Sequence, residues 1–438
     1  MSGSLTVVLD DVVAGTLTRL KAGRLRFEYA DTYRERGDAT PLSISMPTQV
    51  QVHHDAAIRP WLWGLLPDDP KVLDQWARRF QASAASPFSM LATPIGHDCP
   101  GAVRFSSPET VDELLARRGH VNWLSEEDVA ERLRDLNRDT TTWLGKDFTG
   151  QFSLAGAQAK TALLYRNARW GEPSGAAATS HILKPAIAGL DDHDLNEHLC
   201  MDAARRTGLT VARTRVEHFK NESAIVVERY DRFVRNGRVT RIHQEDVCQA
   251  LSVLPTMKYQ SDGGPGPKEI VSLFRRAMPP KDADDAVWRF VDALAWNWLI
   301  VGTDAHAKNY SLLLAGDQIR LAPLYDMASA LPYERRERKL KLAMKIGGDY
   351  RLWPRRNLWA RAAHELGLDG DAVVQRVRAL AMRAPDTFSD AARAREIVGL
   401  ERELPARLLD LIAKRVAGCL QVLDAPAVRL SSRNSRRS

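Results

Sequence analysis

Cysteine is scarce in this chain, and the few cysteines do not form pairs. Among 438 residues there are four cysteines, at positions 99, 200, 248 and 419, with no C-x-x-C spacing. The eleven histidines show no H-x-x-x-H or H-E-x-x-H arrangement. A disulfide framework and a structural zinc site are therefore not expected, and the cysteine usage fits a reducing compartment.

Long hydrophobic runs and targeting signals are also missing from the sequence. The first residues, MSGSLTVVLDDVVAG, have no basic segment before an apolar stretch, so we expect no signal peptide. The most apolar segment, FVDALAWNWLIVG, contains Asp292 and Asn297 and is too short to span a bilayer. These absences predict a soluble, cytoplasmic protein that makes no membrane contact.

The composition is nevertheless sufficient for a large core. The chain is 44% hydrophobic and has a formal net charge of +7, which permits two or three domains and is compatible with an acidic or phosphate-bearing partner. No segment repeats at a fixed period, and a strand-rich region with one helix precedes a mostly helical region, so an α+β protein is predicted. The predicted regions are a β-rich N-terminal subdomain at 1–108, a helical connector at 109–147, a β-rich lobe at 148–235, a helical lobe at 236–428 and a disordered basic tail at 429–438.

The segment TDAHAKNYSLLLAGDQIRLAPLYDMAS (303–329) combines polar side chains with apolar runs. YSLLL and QIRLAPL are predicted to form two strands joined by the turn AGD. Asp304 and Asn309 precede this hairpin, five positions apart, and Asp326 follows it. Taken singly, each is an ordinary turn or cap residue. Together they bring two carboxylates and an amide to the ends of one hairpin.

This combination fits phosphoryl transfer. The reaction needs a carboxylate that orients the attacking hydroxyl and oxygen ligands that hold Mg²⁺ on the phosphates. Protein kinases place an Asp and an Asn five residues apart and bring in a second Asp from a later motif. We therefore predict Asp304 as the catalytic residue, and Asn309 and Asp326 as magnesium ligands.

A kinase also needs a lysine that contacts the phosphates and an acid that pairs with it. Lys184, at the end of the strand HILK, is a candidate, although a solvated lysine at a strand end is the plainer interpretation of that residue alone. Glu197, on the helix LNEHLCMDAARRTGL, is available to pair with it. Asp194 and Glu197 fit a capping arrangement at the helix start equally well, so both interpretations stay open.

Two further segments are candidates for nucleotide contacts. In AIVVERYD, residues 228–230 fit a hinge whose backbone contacts adenine, and Asp231 either reaches a ribose hydroxyl or forms a surface salt bridge with Arg229 or Arg232. In FSLAGAQAKTALLY, the backbone N–H groups of residues 155–157 are available to phosphates. That segment is neither a Walker A loop nor G-x-G-x-x-G, and a flexible turn between strands explains it as well.

Several motifs, taken in order, resemble those of the HipA family of serine/threonine kinase toxins. They are SLAGAQAKTALL, HILK, VERYDR, HQEDVCQAL, YQSDGGPG, GTDAHAKNYSLLL and LYDMASA, and GLLPDDP and PFSMLATPIGHDCPGAV resemble the N-terminal subdomain of that family. The resemblance runs from about residue 5 to about residue 350. It implies a bilobal protein-kinase-like fold with a β-rich N-terminal lobe and a helical C-terminal lobe, preceded by a β-rich subdomain.

The resemblance also implies a site for ATP and Mg²⁺. Asp304 corresponds to the catalytic aspartate of the family, and Asn309 and Asp326 to the metal ligands. Ser153, just before AGAQ, corresponds to a serine whose phosphorylation ejects the loop and stops ATP binding, and Ala159 stands where a charged or polar residue is frequent. The implied nucleotide contacts are Ala155, Gly156, Ala157, Gln158, Ala159, Lys160, Lys184, Glu228, Arg229, Tyr230, Asp231, His306, Lys308, Asn309, Tyr325 and Asp326.

The family resemblance further implies the biological setting. It implies the toxin of a two-gene toxin–antitoxin module, with a HipB-like helix-turn-helix antitoxin that brings the toxin to operator DNA. The implied substrate is an aminoacyl-tRNA synthetase, in particular glutamyl-tRNA synthetase, whose phosphorylation stops translation and leads to dormancy. The segment RLWPRRNLWAR (351–361) is a candidate nucleic-acid patch, although an amphipathic helix with its tryptophans in the core is the favoured interpretation.

Two other functions remain open at this stage. A small-molecule phosphotransferase of the aminoglycoside-kinase type also uses D-x-x-x-x-N followed by a metal-binding aspartate, although the AGAQ loop and the N-terminal subdomain argue against it. A catalytically silent, ATP-binding subunit of a DNA-binding repressor complex is the second alternative, and the presence of all three chemical residues argues against that one.

Overall fold

A computed structural model describes residues 3–116, 119–235, 238–334, 339–352 and 357–424. The predicted tail at 429–438 and residues 353–356 of the candidate basic patch lie outside these ranges. The described chain mixes sheets and helices as the sequence predicts, so the α+β class is confirmed. None of its helices combines the length and the apolar character needed to cross a bilayer.

The N-terminal subdomain is an antiparallel sheet with short helices packed beside it. Its strand order is β4-β3-β2-β1-β5. Helix α2 buries Trp61 and Leu62, and a proline begins helix α3, where its missing N–H costs no hydrogen bond. The elements are β1 (Gly3–Leu9), β2 (Val12–Arg19), β3 (Leu25–Tyr29), α1 (Asp31–Arg34), β4 (Val52–His54), α2 (Asp55–Gly64), α3 (Pro70–Phe80), α4 (Pro87–Leu91) and β5 (Val103–Ser106).

A second, six-stranded antiparallel sheet forms the β-rich lobe, in the order β10-β11-β9-β7-β8-β6. The stretch expected to be a helical connector contributes a strand to this sheet as well as a helix, and that helix begins with a capping box of Ser125 and Asp128. The elements are α5 (Val111–Leu115), β6 (Gly119–Trp123), α6 (Glu126–Arg138), β7 (Thr161–Arg166), β8 (Arg169–Gly175), β9 (His181–Pro185), α7 (His193–Arg206), β10 (Thr214–Phe219) and β11 (Glu222–Glu228).

Three smaller β elements follow this sheet. Strands β12 (Arg232–Arg235) and β13 (Arg238–Arg241) form a hairpin, so the expected domain boundary at residue 235 falls between two paired strands. The hairpin predicted from YSLLL and QIRLAPL is present as β15 (Ser311–Ala315) and β16 (Gln318–Leu321), and β14 (His243–Asp246) extends it to three strands. Strands β17 (Lys341–Ile346) and β18 (Asp349–Arg351) form a further hairpin within the expected helical lobe.

The helical lobe is organised around one long, buried helix that precedes Asp304 and Asn309. This helix, α10, carries Trp296 and Trp298, which are fully buried. Trp296 stacks on Phe388, and Trp298 packs edge-on against Trp359, the described tryptophan of the candidate basic patch. The helices are α8 (Val247–Ala250), α9 (Pro267–Ala277), α10 (Pro280–Ile300), α11 (Leu358–Leu366), α12 (Gly370–Ala392), α13 (Arg395–Val398) and α14 (Leu404–Leu423).

Within the described ranges, the buried hydrophobic residues form two cores, and these do not correspond one to one with the predicted regions. One core joins the N-terminal subdomain, helix α6 and one face of the six-stranded sheet, and it includes Trp61, Trp143 and Leu183. The other joins helix α7 to the helical lobe. Because the first core is continuous from the N-terminal subdomain into the β-rich lobe, burial of apolar surface fixes the two to each other.

Candidate active site

A cavity of about 710 Å³ lies between the β-rich lobe and the helical lobe. It gathers nearly all of the expected site residues from segments far apart in the chain. Two expected residues are exceptions. Ala159 packs against the core that the N-terminal subdomain shares with the sheet, and Ser153 is completely buried beside the cavity rather than lining it. The expected residues in the lining are Ala155, Gly156, Ala157, Gln158, Lys160, Lys184, Glu228, Arg229, Tyr230, Asp231, Asp304, His306, Lys308, Asn309, Tyr325 and Asp326.

The predicted catalytic segment, residues 303–309, forms one wall of the cavity, directly after helix α10. The helix ends because Val301 adopts a left-handed conformation with φ 59°. Asp304 is exposed to the cavity, and a short 3₁₀ turn returns the chain so that Asn309 Nδ2 donates to the Asp304 carbonyl at 2.9 Å. The Tyr259 hydroxyl donates to Asp304 Oδ1 at 2.5 Å. The five-residue spacing thus brings Asp304 and Asn309 together.

A lysine with two carboxylate partners forms the opposite wall. Lys184 Nζ lies 2.6 Å from Asp326 Oδ1 and 2.8 Å from Glu197 Oε1. Glu197 is 1% exposed, whereas the Asp326 side chain keeps 39% of its surface exposed. Of the two interpretations left open for Glu197, the structure has the ion pair with Lys184; Asp194, the other half of the capping alternative, accepts a hydrogen bond from Ser223 instead.

The charges in this group are tightly coupled. Burial alone would raise the pKa of Asp326, but Lys184 and then Lys160 hold it well below the usual range. Burial alone would lower the pKa of Lys184, but its two carboxylate partners, Asp326 and Glu197, raise this pKa above its ordinary value. Burial raises the pKa of Glu197, against the effect of Lys184. Near neutral pH the group therefore presents an ionised Asp326 to the cavity next to a charged lysine.

The AGAQ segment is a loop that covers the cavity from the side of the β-rich lobe. Gly156 has φ 99°, a conformation that favours glycine, and a Cβ at this position would lie 2.7 Å from Lys160 Nζ. Lys160 Nζ donates to the Ala155 carbonyl at 2.8 Å and lies 4.7 Å from the centre of the Trp143 ring. Burial and the neighbouring Lys184 lower the pKa of Lys160 to about 7.

Ser153 is completely buried at the base of this loop. Its hydroxyl donates a short hydrogen bond to the Leu65 carbonyl, and its backbone N–H donates to the Asp98 carbonyl at 3.0 Å. Leu65 and Asp98 both belong to the N-terminal subdomain. The loop is therefore fixed in place by that subdomain as well as by its own lobe.

The expected hinge has one face toward the cavity and one face in a buried ionic cluster. Tyr230 and Tyr325 pack with ring centroids 5.7 Å apart, and both line the cavity. The surface salt bridge considered for Asp231 is instead buried: Asp231 and Arg229 are 4% and 2% exposed, and the ion pair between them measures 2.8 Å. Because both side chains are engaged in this cluster, the backbone of the hinge is the part best suited to contact adenine.

The buried cluster extends to the N-terminal subdomain through Asp98. This carboxylate pairs with Arg232 at 3.0 Å and with Arg241 at 2.9 Å, and it accepts from the Thr179 hydroxyl at 2.7 Å. Although burial alone would raise it, these arginines hold the pKa of Asp98 well below its usual range. The position of the hinge relative to the N-terminal subdomain thus depends on a cluster of buried charges.

The lining also contains polar atoms that suit a ligand with many acceptors. Gln158 Nε2 and His306 Nδ1 are buried and have no hydrogen-bond partner among the described residues. No group of three His, Cys, Asp or Glu side chains able to hold a metal occurs in the described part of the chain. Asp326 and Asn309 still fit a magnesium ion, because Mg²⁺ on a nucleotide takes one or two protein oxygens and completes its shell with phosphate oxygens and water.

Three residues of the site were not assigned a role from the sequence. Tyr259 contacts Asp304, and Asp68 forms ion pairs with Lys308 at 2.5 Å and with Lys258 at 2.8 Å. Both acids of GLLPDDP are plausible helix caps by pattern, but Asp69 caps helix α3 while Asp68 enters the cavity. The sequence did contain a sign of these residues, because GLLPDDP and YQSDGGPG resemble motifs of the family. That resemblance does not indicate which residues the two motifs contact.

Comparison with known proteins assigns the chain to a family. It matches the model of the HipA-like C-terminal domain over residues 152–388 and that of the HipA N-terminal domain over residues 5–106. The chain belongs to the HipA family. This confirms the resemblance to HipA serine/threonine kinase toxins on which the expected site was based.

Two individual relatives match over most of their length. Y4mE of Sinorhizobium fredii, a protein named as a kinase, is 35% identical over 345 residues, which are 78% of this chain and 80% of Y4mE. The serine/threonine-protein kinase toxin HipA of Shewanella oneidensis is 28% identical over 406 residues, which are 88% of this chain and 89% of that toxin.

A solved HipA structure confirms the bilobal, kinase-like fold. It comes from the Shewanella oneidensis complex of HipA, HipB and operator DNA, and it superimposes with a TM-score of 0.79 at 26% identity. The match covers 96% of this chain and 97% of that one. The chain is therefore a HipA-family protein kinase with the fold expected from its sequence.

Proposed function

We propose that this HipA-family kinase uses ATP and Mg²⁺ to phosphorylate serine or threonine hydroxyls of proteins, and that it acts as the toxin of a toxin–antitoxin pair. The observation that carries the proposal is the convergence of four side chains on one cavity. Asp304 and Asn309 lie on one wall, and Asp326 and Lys184 lie on the other. This is the set of groups that phosphoryl transfer requires.

In the proposed reaction the acceptor hydroxyl attacks the terminal phosphorus of ATP, the bond to ADP breaks, and the hydroxyl proton passes to Asp304. Asp304 suits this role because its carboxylate is exposed and is oriented by Tyr259. Lys184 neutralises phosphate charge, while Asn309 and Asp326 hold Mg²⁺. Bound Mg²⁺ supplies further neutralisation of the charge that develops on the phosphates.

We further propose that the kinase inactivates itself by phosphorylating Ser153. The Ser153 side chain is completely buried and donates to the Leu65 carbonyl, so transfer to it requires the AGAQ loop to leave its place. A phosphate there adds a charge of roughly −1.5 to −2 at neutral pH, which the buried position does not accommodate. Once modified, the loop stays displaced and the phosphate-binding groups at residues 155–160 are dispersed.

The proposed partners follow from the family and its solved relative. A HipB-like helix-turn-helix antitoxin binds this kinase and links it to operator DNA, as the Shewanella oneidensis complex contains HipA, HipB and operator DNA. The proposed substrate is an aminoacyl-tRNA synthetase, with glutamyl-tRNA synthetase as the first candidate. We place this reaction in the cytoplasm. Phosphorylation of the synthetase stops translation, and the cell becomes dormant.

The proposal is tested with purified protein, labelled ATP and Mg²⁺. The wild type is expected to label itself at Ser153 and to label a synthetase from a purified set, whereas Asp304→Ala labels neither. Asp317→Ala, at the exposed hairpin turn, is the matched control and retains wild-type transfer. Transfer to an aminoglycoside but to no protein indicates the small-molecule phosphotransferase. Binding of ATP without any transfer indicates the silent repressor subunit.

A further inference from the structure

The N-terminal subdomain places one carboxylate inside the kinase cavity. Asp68 follows helix α2, and its side chain is 10% exposed between two lysines of the helical lobe. Asp68 Oδ1 accepts from Lys308 Nζ at 2.5 Å, and Oδ2 accepts from Lys258 Nζ at 2.8 Å. Lys308 stands one position before Asn309, so this ion pair reaches directly into the catalytic segment.

Asp68 has no evident role in local secondary structure. The neighbouring Asp69 provides the N-cap of helix α3 by accepting from the Lys71 N–H at 2.9 Å. The Asp68 backbone N–H instead donates to the Gly156 carbonyl in the AGAQ loop at 3.0 Å. One residue of the N-terminal subdomain therefore contacts the phosphate-side loop through its backbone and the catalytic segment through its side chain.

The charges of Asp68, Lys258 and Lys308 together affect how the cavity binds a phosphate group. Both lysines line the cavity, and Asp68 leaves the three-residue cluster with a net charge of +1. Burial opposes the ionised form, but Lys308 and Lys258 lower the pKa of Asp68 to about 2, so the carboxylate is charged at neutral pH. A carboxylate held this close fixes the direction of a flexible lysine that otherwise samples many rotamers.

We propose that Asp68 is a positioning residue for phosphoryl transfer, which it serves by holding Lys308 in the orientation that the transferred phosphate requires. This inference rests on the proposed kinase function. It makes the N-terminal subdomain a contributor to the active site rather than an attached module. Asp68 then has two opposing effects. The negative charge of Asp68 weakens nucleotide binding, whereas the position in which Asp68 holds Lys308 promotes phosphate transfer.

Asp68→Asn separates these effects because it keeps the shape and removes the charge. We expect kcat for phosphate transfer to fall about 10- to 100-fold, since a displaced catalytic-site group commonly has an effect of that size. The KM for ATP is expected to stay the same or to fall, because the cluster then carries +2 rather than +1. Asp68→Glu, whose carboxylate still reaches the lysines, is expected to recover at least part of the loss in kcat.

Nucleotide binding supplies a readout that does not depend on turnover. The probe is adenylyl-imidodiphosphate with Mg²⁺, measured by calorimetry at low and high salt. Asp68→Asn is expected to bind it about three- to tenfold more tightly at low salt, and the difference is expected to shrink as salt screens the charge. In Asp68→Asn/Lys258→Gln the cluster returns to +1, so affinity returns to the wild-type value while kcat stays low.

Asp74→Asn, on the exposed face of helix α3, is the control that removes a nearby charge without touching the cavity. It is expected to match the wild type in both measurements. The inference is overturned if Asp68→Asn keeps wild-type kcat and affinity. It is also overturned if Asp68→Asn loses kcat, affinity and thermal stability together, since that pattern indicates a structural role alone.

The two proposals fail in different ways. If the wild type transfers no phosphate to any protein, the kinase function fails, and the binding measurements still decide whether Asp68 sets the charge at the phosphate end of the cavity. In that case, equal affinities of the wild type and Asp68→Asn for the probe overturn the inference as well. If the wild type transfers phosphate, a normal kcat in Asp68→Asn overturns the inference alone.

Discussion

The hydroxyl of Tyr259 donates a hydrogen bond to Oδ1 of Asp304 at 2.5 Å, and this contact joins the YQSDGGPG segment to the carboxylate that we propose as catalytic. The segment is a tight loop in which the Gly264 N–H donates to the Tyr259 carbonyl at 3.0 Å. A Cβ at Gly264 would lie 1.8 Å from the Met257 carbonyl oxygen, so the close turn requires glycine there. The loop thus holds Tyr259 against Asp304.

Replacing Tyr259 by phenylalanine removes this hydrogen bond and keeps the ring that packs against His306. We expect kcat to fall about tenfold, since a hydrogen bond to a charged group contributes roughly 1.5–3 kcal/mol. The KM for ATP is expected to remain within about twofold, because the hydroxyl acts on the carboxylate. Steady-state kinetics of protein phosphorylation measure both values. Tyr165→Phe, in strand β7, is the control, and equal kinetics for the two variants would contradict an orienting role.

Glu197→Gln tests the pairing of this residue with Lys184. Removing one of two carboxylates leaves Lys184 held by Asp326 alone, so we expect the lysine to shift toward Asp326 and single-turnover transfer to slow by about tenfold or more. Asp194→Asn is the comparison on the same helix. It replaces the charged acceptor of the Ser223 hydroxyl by a neutral amide oxygen and so weakens that hydrogen bond, and its thermal midpoint is therefore expected to fall while its transfer rate stays near wild type. A wild-type rate of phosphate transfer by Glu197→Gln would show that Glu197 does not contribute to the proposed active site.

The lowered pKa of Lys160 predicts a proton uptake on nucleotide binding. With a pKa of about 7, Lys160 loses its charge as the pH rises through neutrality, and phosphate binding restores that charge. At pH 8 we expect the wild type to take up close to one more proton than Lys160→Met when it binds the same nucleotide. Calorimetry in buffers of different ionisation enthalpy measures the difference. The exposed Lys146→Met should behave like the wild type, and equal uptake by all three proteins would contradict the prediction.

The cluster around Asp98 predicts a large effect on stability. Asp98→Asn leaves the buried Arg241 without the Asp98 carboxylate and leaves Arg232 paired with Asp231, and breaking a buried ion pair in this way typically costs about 3–5 kcal/mol. Urea unfolding at neutral pH measures the loss. Asp74→Asn, on the surface of helix α3, is expected to change the unfolding free energy by less than about 0.5 kcal/mol. A similar small change for Asp98→Asn would show that the cluster does not hold the subdomains together.

The parts of the site predicted from sequence are those encoded over short distances. The hairpin and the spacing of Asp304 and Asn309 follow from local periodicity and turn chemistry, and Asp326 lies close behind the returning strand. Lys184 was identified from its strand end, but its partner was ambiguous. A carboxylate at a helix start looks the same in sequence whether it caps the helix or pairs with a lysine of another element.

The parts missed by sequence reasoning depend on contacts between distant segments. Asp68 and Lys308 are 240 positions apart, and no local pattern indicates that they meet. A surface salt bridge was one of the two interpretations of Asp231, yet the pair is buried, and Arg229 and Arg232, each 2.8 Å from Asp231, make the buried charge tolerable. Such burial follows from the docking of the N-terminal subdomain, which composition and periodicity do not encode.

The central claim is that Asn309 and Asp326 hold a metal-bound triphosphate while Asp304 faces the acceptor hydroxyl. A crystal structure with adenylyl-imidodiphosphate and Mg²⁺ tests it most directly. The account predicts a metal ion coordinated by side-chain oxygens of Asn309 and Asp326, with the terminal phosphate beside Asp304 and Lys184. A nucleotide bound elsewhere, or one whose phosphates point away from these residues, would contradict it.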